Sequence, residues 1–168
     1  MTDSVDAVIE AWSEERPDLD FWPVGVIGRV QRLARLLDRA IQDVCDAHGL
    51  EQSEADLLMT LRRAGAPYQL SANALLKAAL VTSGAITNRV DRLETKGLVE
   101  RVRSDLDRRS VDVRLTDHGR KTVDTLIADH IANEARLLQK LPRRRADTLA
   151  GLLRQLLQSL EEEDTTSR

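Results

Sequence analysis

The chain contains a single cysteine, one tyrosine, one phenylalanine and two tryptophans in 168 residues. A lone cysteine, Cys45, cannot close an intrachain disulfide, and cytoplasmic residence is the default expectation. No apolar run approaches the roughly 20 residues that a membrane span needs, so no membrane association is expected. The opening "MTDSVDAVIEAW" lacks the basic-then-apolar order of a secretory signal. His48, His118 and His130 have no metal-ligand spacing with each other or with carboxylates. There is no Gly-rich phosphate loop, no Ser/His/Asp set and no acid–base pair of histidines. The expectation is therefore a protein that is not an enzyme and holds neither metal nor cofactor.

What the chain has is charge, unevenly spread. Charged residues make up 32% of it, against 2% aromatic, and the formal net charge is only −3. Residues 1–20 carry seven acids and one arginine, and residues 161–168 carry four acids and one arginine, so the stretch between them is at +6. A basic middle between acidic ends is compatible with a polyanionic partner.

The length suits one domain with helical extensions. In "DSVDAVIEAWSEE", Val5, Val8, Ile9 and Trp12 recur at helical spacing, and Pro17 ends the run. A long amphipathic helix is expected from about Pro23 to Ala47, with Ile27, Val30, Leu33, Leu37, Ile41 and Val44 as its apolar stripe. In "SEADLLMTLRRAG", Ser53 is the expected N-cap and Gly65 the stop. Two short helices joined tightly follow in "YQLSANALLKAALVTSGAITNRVDRLETKGL". Ser71 caps the first, Thr82 or Ser83 the second, and Ile86, Val90 and Leu93 face inward.

After Gly97 the period drops from 3.6 to 2. "LVERVR" and "VDVRLT" flank the turn-forming, basic "SDLDRRS", which predicts a hairpin. Thr116 caps a helix to about Gln139, with Val123, Ile127, Ile131 and Leu138 on one side. Pro142 interrupts. A last helix carries Leu149, Leu152, Leu153, Leu156, Leu157 and Leu160, a stripe of the kind that terminal helices bury against a partner. The predicted fold is mainly α with a small β-hairpin: a winged helix-turn-helix.

In such a motif the second helix lies in the major groove, and the hairpin reaches the backbone or minor groove. "TSGAITN" opens that helix with small, hydrogen-bonding residues: Thr82, Ser83, Gly84 and Ala85 allow close approach, and the free N–H groups favour phosphate. Thr87, Asn88 and Arg92 are candidates for base edges or phosphates. Arg108 and Arg109 at the wing tip suit an adjacent minor groove. Ser71, Arg103 and Asp107 complete the expected DNA-binding set.

"TSGAITNRVDRLETKGLVERVRSDLDRRSVDVRLTDHG" closely resembles the winged helix of the MarR family of bacterial transcriptional regulators. The flanking helices fit the family's length and order, so the resemblance covers nearly the whole chain. It implies a homodimer built on interlocking N- and C-terminal helices, with residues 1–47 and 117–162 as the dimerising parts and 53–116 as the DNA-binding lobe. It also implies a repressor on a palindromic double-stranded operator. Two recognition helices about one DNA turn apart read the two halves of such a site together, whereas one module alone neutralises few phosphates.

The family usually responds to small molecules. Cys45 sits late in a helix between Val44 and Asp46 with no second cysteine, and reads as a packed thiol rather than a sensor. The helix before "RPDLD" resembles an addition found in a urate-responsive subgroup of the family. That resemblance implies a pocket of Trp12, Asp56, Arg89 and Arg101, with Trp22 a rival for the aromatic role. Two guanidinium groups suit a small anion, either urate or a related purine, or a polycarboxylate such as citrate or aconitate. Arg89 would turn inward from the recognition helix, so that an anion clamped with Arg101 pulls helix and wing away from DNA. The alternative reading is an architectural protein that binds duplexes without sequence preference or ligand response.

Overall fold

A computed structural model describes residues 2–79, 83–103 and 111–166. The chain divides into two compact units, Met1–Ile127 and Ala128–Arg168.

The first unit opens with α1 (Ser4–Glu15) and α2 (Trp22–Ala47). Asp3 caps α1 by accepting the N–H groups of Val5 at 2.8 Å and Asp6 at 3.1 Å, while Asp6 accepts the Asp3 N–H in return. The helix lies against α2 where α2 is thinnest. A Cβ on Gly28 would stand 3.1 Å from Val5 Cγ1, and one on Gly25 would stand 3.7 Å from Ile9 Cδ1. Arg29 completes the seam, donating to Asp3 at 2.8 Å and to Asp6 at 2.5 Å. Along α2 the expected apolar stripe divides: Ile41 and Val44 pack on the core, whereas Ile27, Val30, Leu33 and Leu37 are exposed.

The core proper gathers Leu57, Leu58 and Leu61 of α3 (Gln52–Arg63), Leu75 of α4 (Ala72–Ala79) and Ile86, Val90 and Leu93 of α5 (Ser83–Thr95). Val99, Val113, Leu115, Val123 and Leu126 close it from the sheet and from α6 (Asp117–Leu138). The predicted inward side of α5 is thus its buried side. Ser71 caps α4, its Oγ accepting the Ala74 N–H at 3.2 Å. The start of α3 is a correction: Glu51, not Ser53, is its N-cap residue, and the Glu51 N–H donates to Glu54 Oε2 at 2.9 Å. Glu54, at the third helical position, accepts the N–H of the N-cap residue itself, the return half of a capping box.

The hairpin is present as β2 (Val99–Arg103) and β3 (Val111–Leu115), paired antiparallel from Val99↔Leu115 to Arg103↔Val111. It is not a two-stranded wing alone. A third strand, β1 (Gln69–Ser71), pairs antiparallel with the other edge of β3, giving the order β1-β3-β2. Gln69 donates to Asp112 Oδ2 at 2.9 Å across that pair.

One junction fixes the hairpin to the helices. Gly97 takes φ +69° at the end of α5, with Gly97 N–H bonded to Glu94 O and Leu98 N–H to Leu93 O, both at 2.9 Å. Thr116 Oγ1 donates to Gly97 O at 2.7 Å and accepts the Gly119 N–H at 2.9 Å, so it caps α6 and ties down the α5–β2 turn together. A Cβ on Gly119 would lie 1.9 Å from Leu98 O, which explains a glycine inside the first turn of a helix.

The second unit holds the end of α6 and α7 (Arg143–Thr166). Ile131, Leu138, Leu149, Leu152, Leu153, Leu157 and Leu160 in it are exposed, and Leu156 is half-buried. Among the described residues no helix is long and apolar enough to cross a membrane.

Candidate nucleic-acid interface

On α5, burial of Ile86, Val90 and Leu93 leaves Thr87, Asn88, Asp91 and Arg92 exposed on the opposite side, with Arg89 half-buried at its margin. Neighbouring elements add cations. Lys77 in the last turn of α4 and Arg103 at the end of β2 are exposed, and neither forms an ion pair among the described residues. Lys77, like the exposed Asn73 of α4, was missed from the sequence. Its signal was its place on the helix before the turn, where a cation can reach the backbone beside the groove. Ser71 is half-buried and committed to capping α4. Thr82, Asp107, Arg108 and Arg109 lie outside the described residues, as do the side chains of Ser83 and Ala85, and of Gly84 only the helical backbone is described.

The second half of α5 is held on both flanks by charge of opposite polarity. Toward α3 the helix supplies cations. Lys96 Nζ lies 2.6 Å from Glu54 Oε2 and donates to Gly49 O at 2.8 Å. Arg92 reaches Glu51 through both terminal nitrogens, at 2.9 and 3.1 Å, and its Nε stands 3.4 Å from Glu54 Oε1. Toward β2 the helix supplies anions: Asp91 takes Arg101 Nη2 at 2.5 Å, Glu94 takes Arg101 Nη1, and Glu94 also accepts the Arg101 N–H at 3.3 Å. Two clasps therefore flank this half of the helix, neither of which sequence reasoning found.

Glu54 is the only one of these groups that is fully buried, at 1% exposure. Burial pushes its carboxyl up, but the Lys96 ammonium, the Glu51 N–H and the charges of Lys96 and Arg92 outweigh that and leave it below its ordinary 4.5. A cleft of about 310 Å³ beside it is lined by Glu51, Glu54, Asp91, Arg92, Thr95 and Lys96. Arg92, expected to meet DNA, is thus paired at the surface with carboxylates of its own chain.

The four residues of the expected ligand pocket stand on four elements, α1, α3, α5 and β2. Trp12 stacks on Phe21, with ring centroids 6.1 Å apart and planes at 21°, and remains 52% exposed. Trp22 is exposed too. Asp56 is exposed on α3, Arg89 is half-buried on α5, and Arg101 is taken up by Asp91 and Glu94. No hydrogen bond, ion pair or ring contact among the described residues joins any two of the four. Cys45 is buried, and that burial, with the charges of Asp56 and Asp46 behind it, raises the thiol's pKa. Such a thiol stays protonated, unlike a reactive one.

Residues 48–110 match the sequence profile of the MarR family. Over 149 residues the chain is 38% identical to the HTH-type transcriptional regulator PecS of Dickeya dadantii, covering 89% of this chain and 90% of PecS. The chain belongs to the MarR family. It is a winged helix-turn-helix transcriptional regulator of the DNA-binding class, not an enzyme. The fold agrees: AbsC, a MarR family transcriptional regulator from Streptomyces coelicolor, superposes with a TM-score of 0.75 at 21% identity, over 86% of this chain and 97% of that one. A cysteine-to-serine mutant of MarR from E. coli, solved in complex with operator DNA, gives a TM-score of 0.68 at 25% identity, over 83% and 99% of the two chains.

Proposed function

We propose that this MarR-family regulator is a homodimeric repressor that sets two α5 helices into successive major grooves of a palindromic operator and leaves it when a small anion binds. The reading rests on the outward side of α5. Thr87 and Asn88 are exposed there, and Lys77 and Arg103 stand on the flanking elements without carboxylate partners among the described residues. Polar side chains that can read base edges, bracketed by cations that can meet phosphates, make a groove-reading surface. In the dimer, residues 1–47 and 117–162 supply the association surfaces. The exposed apolar positions of α2 and α7 support this, since stripes of that extent are otherwise left in water.

The ligand belongs to Trp12, Asp56, Arg89 and Arg101, and is a planar purine such as urate or a polycarboxylate such as citrate or aconitate. Arg89 leaves α5 from the margin of its buried side, and Arg101 already binds two carboxylates. An anion that takes Arg101 from Asp91 and Glu94 unfastens the wing root from the recognition helix. It can shift the equilibrium only by its differential affinity for the two arrangements, typically about 1–3 kcal/mol.

Fluorescence anisotropy with a duplex from upstream of the regulator's own gene, against a random duplex of equal length, tests the first half. A preference of about a thousandfold or more is expected of a specific regulator. Equal affinity for both duplexes would favour the architectural alternative. Addition of urate or of citrate to the specific complex tests the second half, and release by neither would dismiss the ligand class.

A further inference from the structure

We propose that Glu51 acts as an internal stand-in for a DNA phosphate: it holds Arg92 in the free protein and surrenders it when α5 docks. This rests on the DNA-docking reading above and adds to it a residue that no motif marks. Arg92 stands one helical turn beyond Asn88 on the exposed side of α5, so it points along the surface proposed to enter the groove. Its forked partner, Glu51, is not part of the core, although Arg92 Nε also stands 3.4 Å from the buried Glu54 Oε1. The Arg92 side chain is 46% exposed and that of Glu51 59%, and the pair is a two-pronged contact at 2.9 and 3.1 Å. A guanidinium makes the same forked contact with a phosphate.

The two cations on this flank of α5 are held differently. Lys96 is bound to the buried Glu54 and to Gly49 O, and stays there to keep the helix seated. Arg92 is bound mainly to an exposed carboxylate, and exposed ion pairs contribute little in water. A duplex offers more, because neutralising a phosphate also releases condensed counterions. Exchange therefore runs toward DNA. Glu51 is then left beside the duplex as an unpaired negative charge, which opposes the binding it permits. Its effect is to weaken attachment to every duplex alike, since each must first win Arg92 from it.

The experiment is a double-mutant cycle on the full chain, by anisotropy with the promoter duplex and with the random duplex over a series of salt concentrations. Glu51→Gln is expected to bind both duplexes about two- to fivefold more tightly than wild type, the scale of an exposed ion pair. Arg92→Gln is expected to weaken both and to lower the salt slope by about one. The double variant should exceed Arg92→Gln by much less than the Glu51→Gln gain, because Glu51 acts chiefly through Arg92 and only its residual repulsion of the duplex is left to remove. Glu51→Asn, neutral and a good N-cap residue, should repeat the gain should Glu51→Gln loosen α3. Binding by both neutral variants equal to wild type would overturn the exchange, and so would a gain that persists undiminished beside Arg92→Gln. A wild-type chain that binds neither duplex overturns the docking reading itself.

Discussion

Lys96, at the end of the recognition helix, places its ammonium 2.6 Å from the carboxylate of Glu54, a side chain 1% exposed and 42 residues earlier in sequence. The ammonium is on the surface and can rehydrate, but the carboxylate cannot. Replacing the carboxylate by an amide leaves Lys96 with Gly49 O as its remaining partner and puts a neutral oxygen where a charged one accepted both the ammonium and the Glu51 N–H.

Glu54→Gln is therefore expected to lower folding stability by on the order of 2 kcal/mol, read as a shift of the urea midpoint at neutral pH. The pH dependence has a definite sign. Folding lowers the Glu54 pKa, so its contribution is complete above the ordinary 4.5 and disappears as pH falls through the lower, folded value. The gap between wild type and Glu54→Gln should be full at pH 7 and narrow below about 4.5. A gap that instead widens on acidification would contradict the assignment.

How far this site could be foreseen depends on the range of each interaction. The hairpin was legible because alternation is local, and the inward side of α5 because 3.6 periodicity marks it. β1 was not legible: three half-buried residues carry no period, and the strand exists because β3 has a free edge to offer. The clasps were invisible for a different reason. Glu54 to Lys96 spans the rest of α3, β1, α4 and α5, and nothing near either residue marks it as half of a pair. Arg92 reads as a free cation from its neighbours, and only the fold brings Glu51 to it.

Gly119 yields a sharper steric forecast. A Cβ there would meet a backbone carbonyl, Leu98 O at 1.9 Å, and a carbonyl in a hydrogen-bonded turn cannot rotate away as a side chain could. Gly119→Ala should destabilise by several kcal/mol, as overpacking against rigid backbone does (on the order of 1–3 kcal/mol or more). It should also cost operator binding, because the same junction seats the α5–β2 turn. Thermal melting measures the first effect, and a melting temperature within a degree of wild type would refute the geometry.

Arg29 governs whether α1 stays docked. It holds Asp3 and Asp6 together, and it helps to lower the pKa of both: it is the first cause for Asp3 and follows the Asp3 N–H for Asp6. Arg29→Gln is expected to speed amide hydrogen exchange throughout residues 4–15 while leaving α3 and α5 protected. High salt should act in the same direction, since the group is solvent-exposed and screened. The contribution of Asp3 and Asp6 is present above their unfolded values and declines as pH falls through the lowered ones, so α1 should loosen on acidification too. Uniform exchange across all helices would mean that α1 is not an independently docked element.

The clasp on the other flank tests the ligand mechanism. Arg101 is bound by Asp91 and Glu94, so an anion that enters this site must compete with them. Asp91→Asn removes one competitor and leaves the guanidinium in place. It should tighten the binding of urate or citrate by about two- to fivefold in isothermal titration, the scale of an exposed ion pair. Arg101→Gln should abolish that binding and also weaken the operator complex, because β2 loses its hold on α5. The two variants thus move ligand affinity in opposite directions, although both break the same ion pair. A mechanism in which the clasp is only structural predicts that they move together, and that result would separate ligand sensing from Arg101.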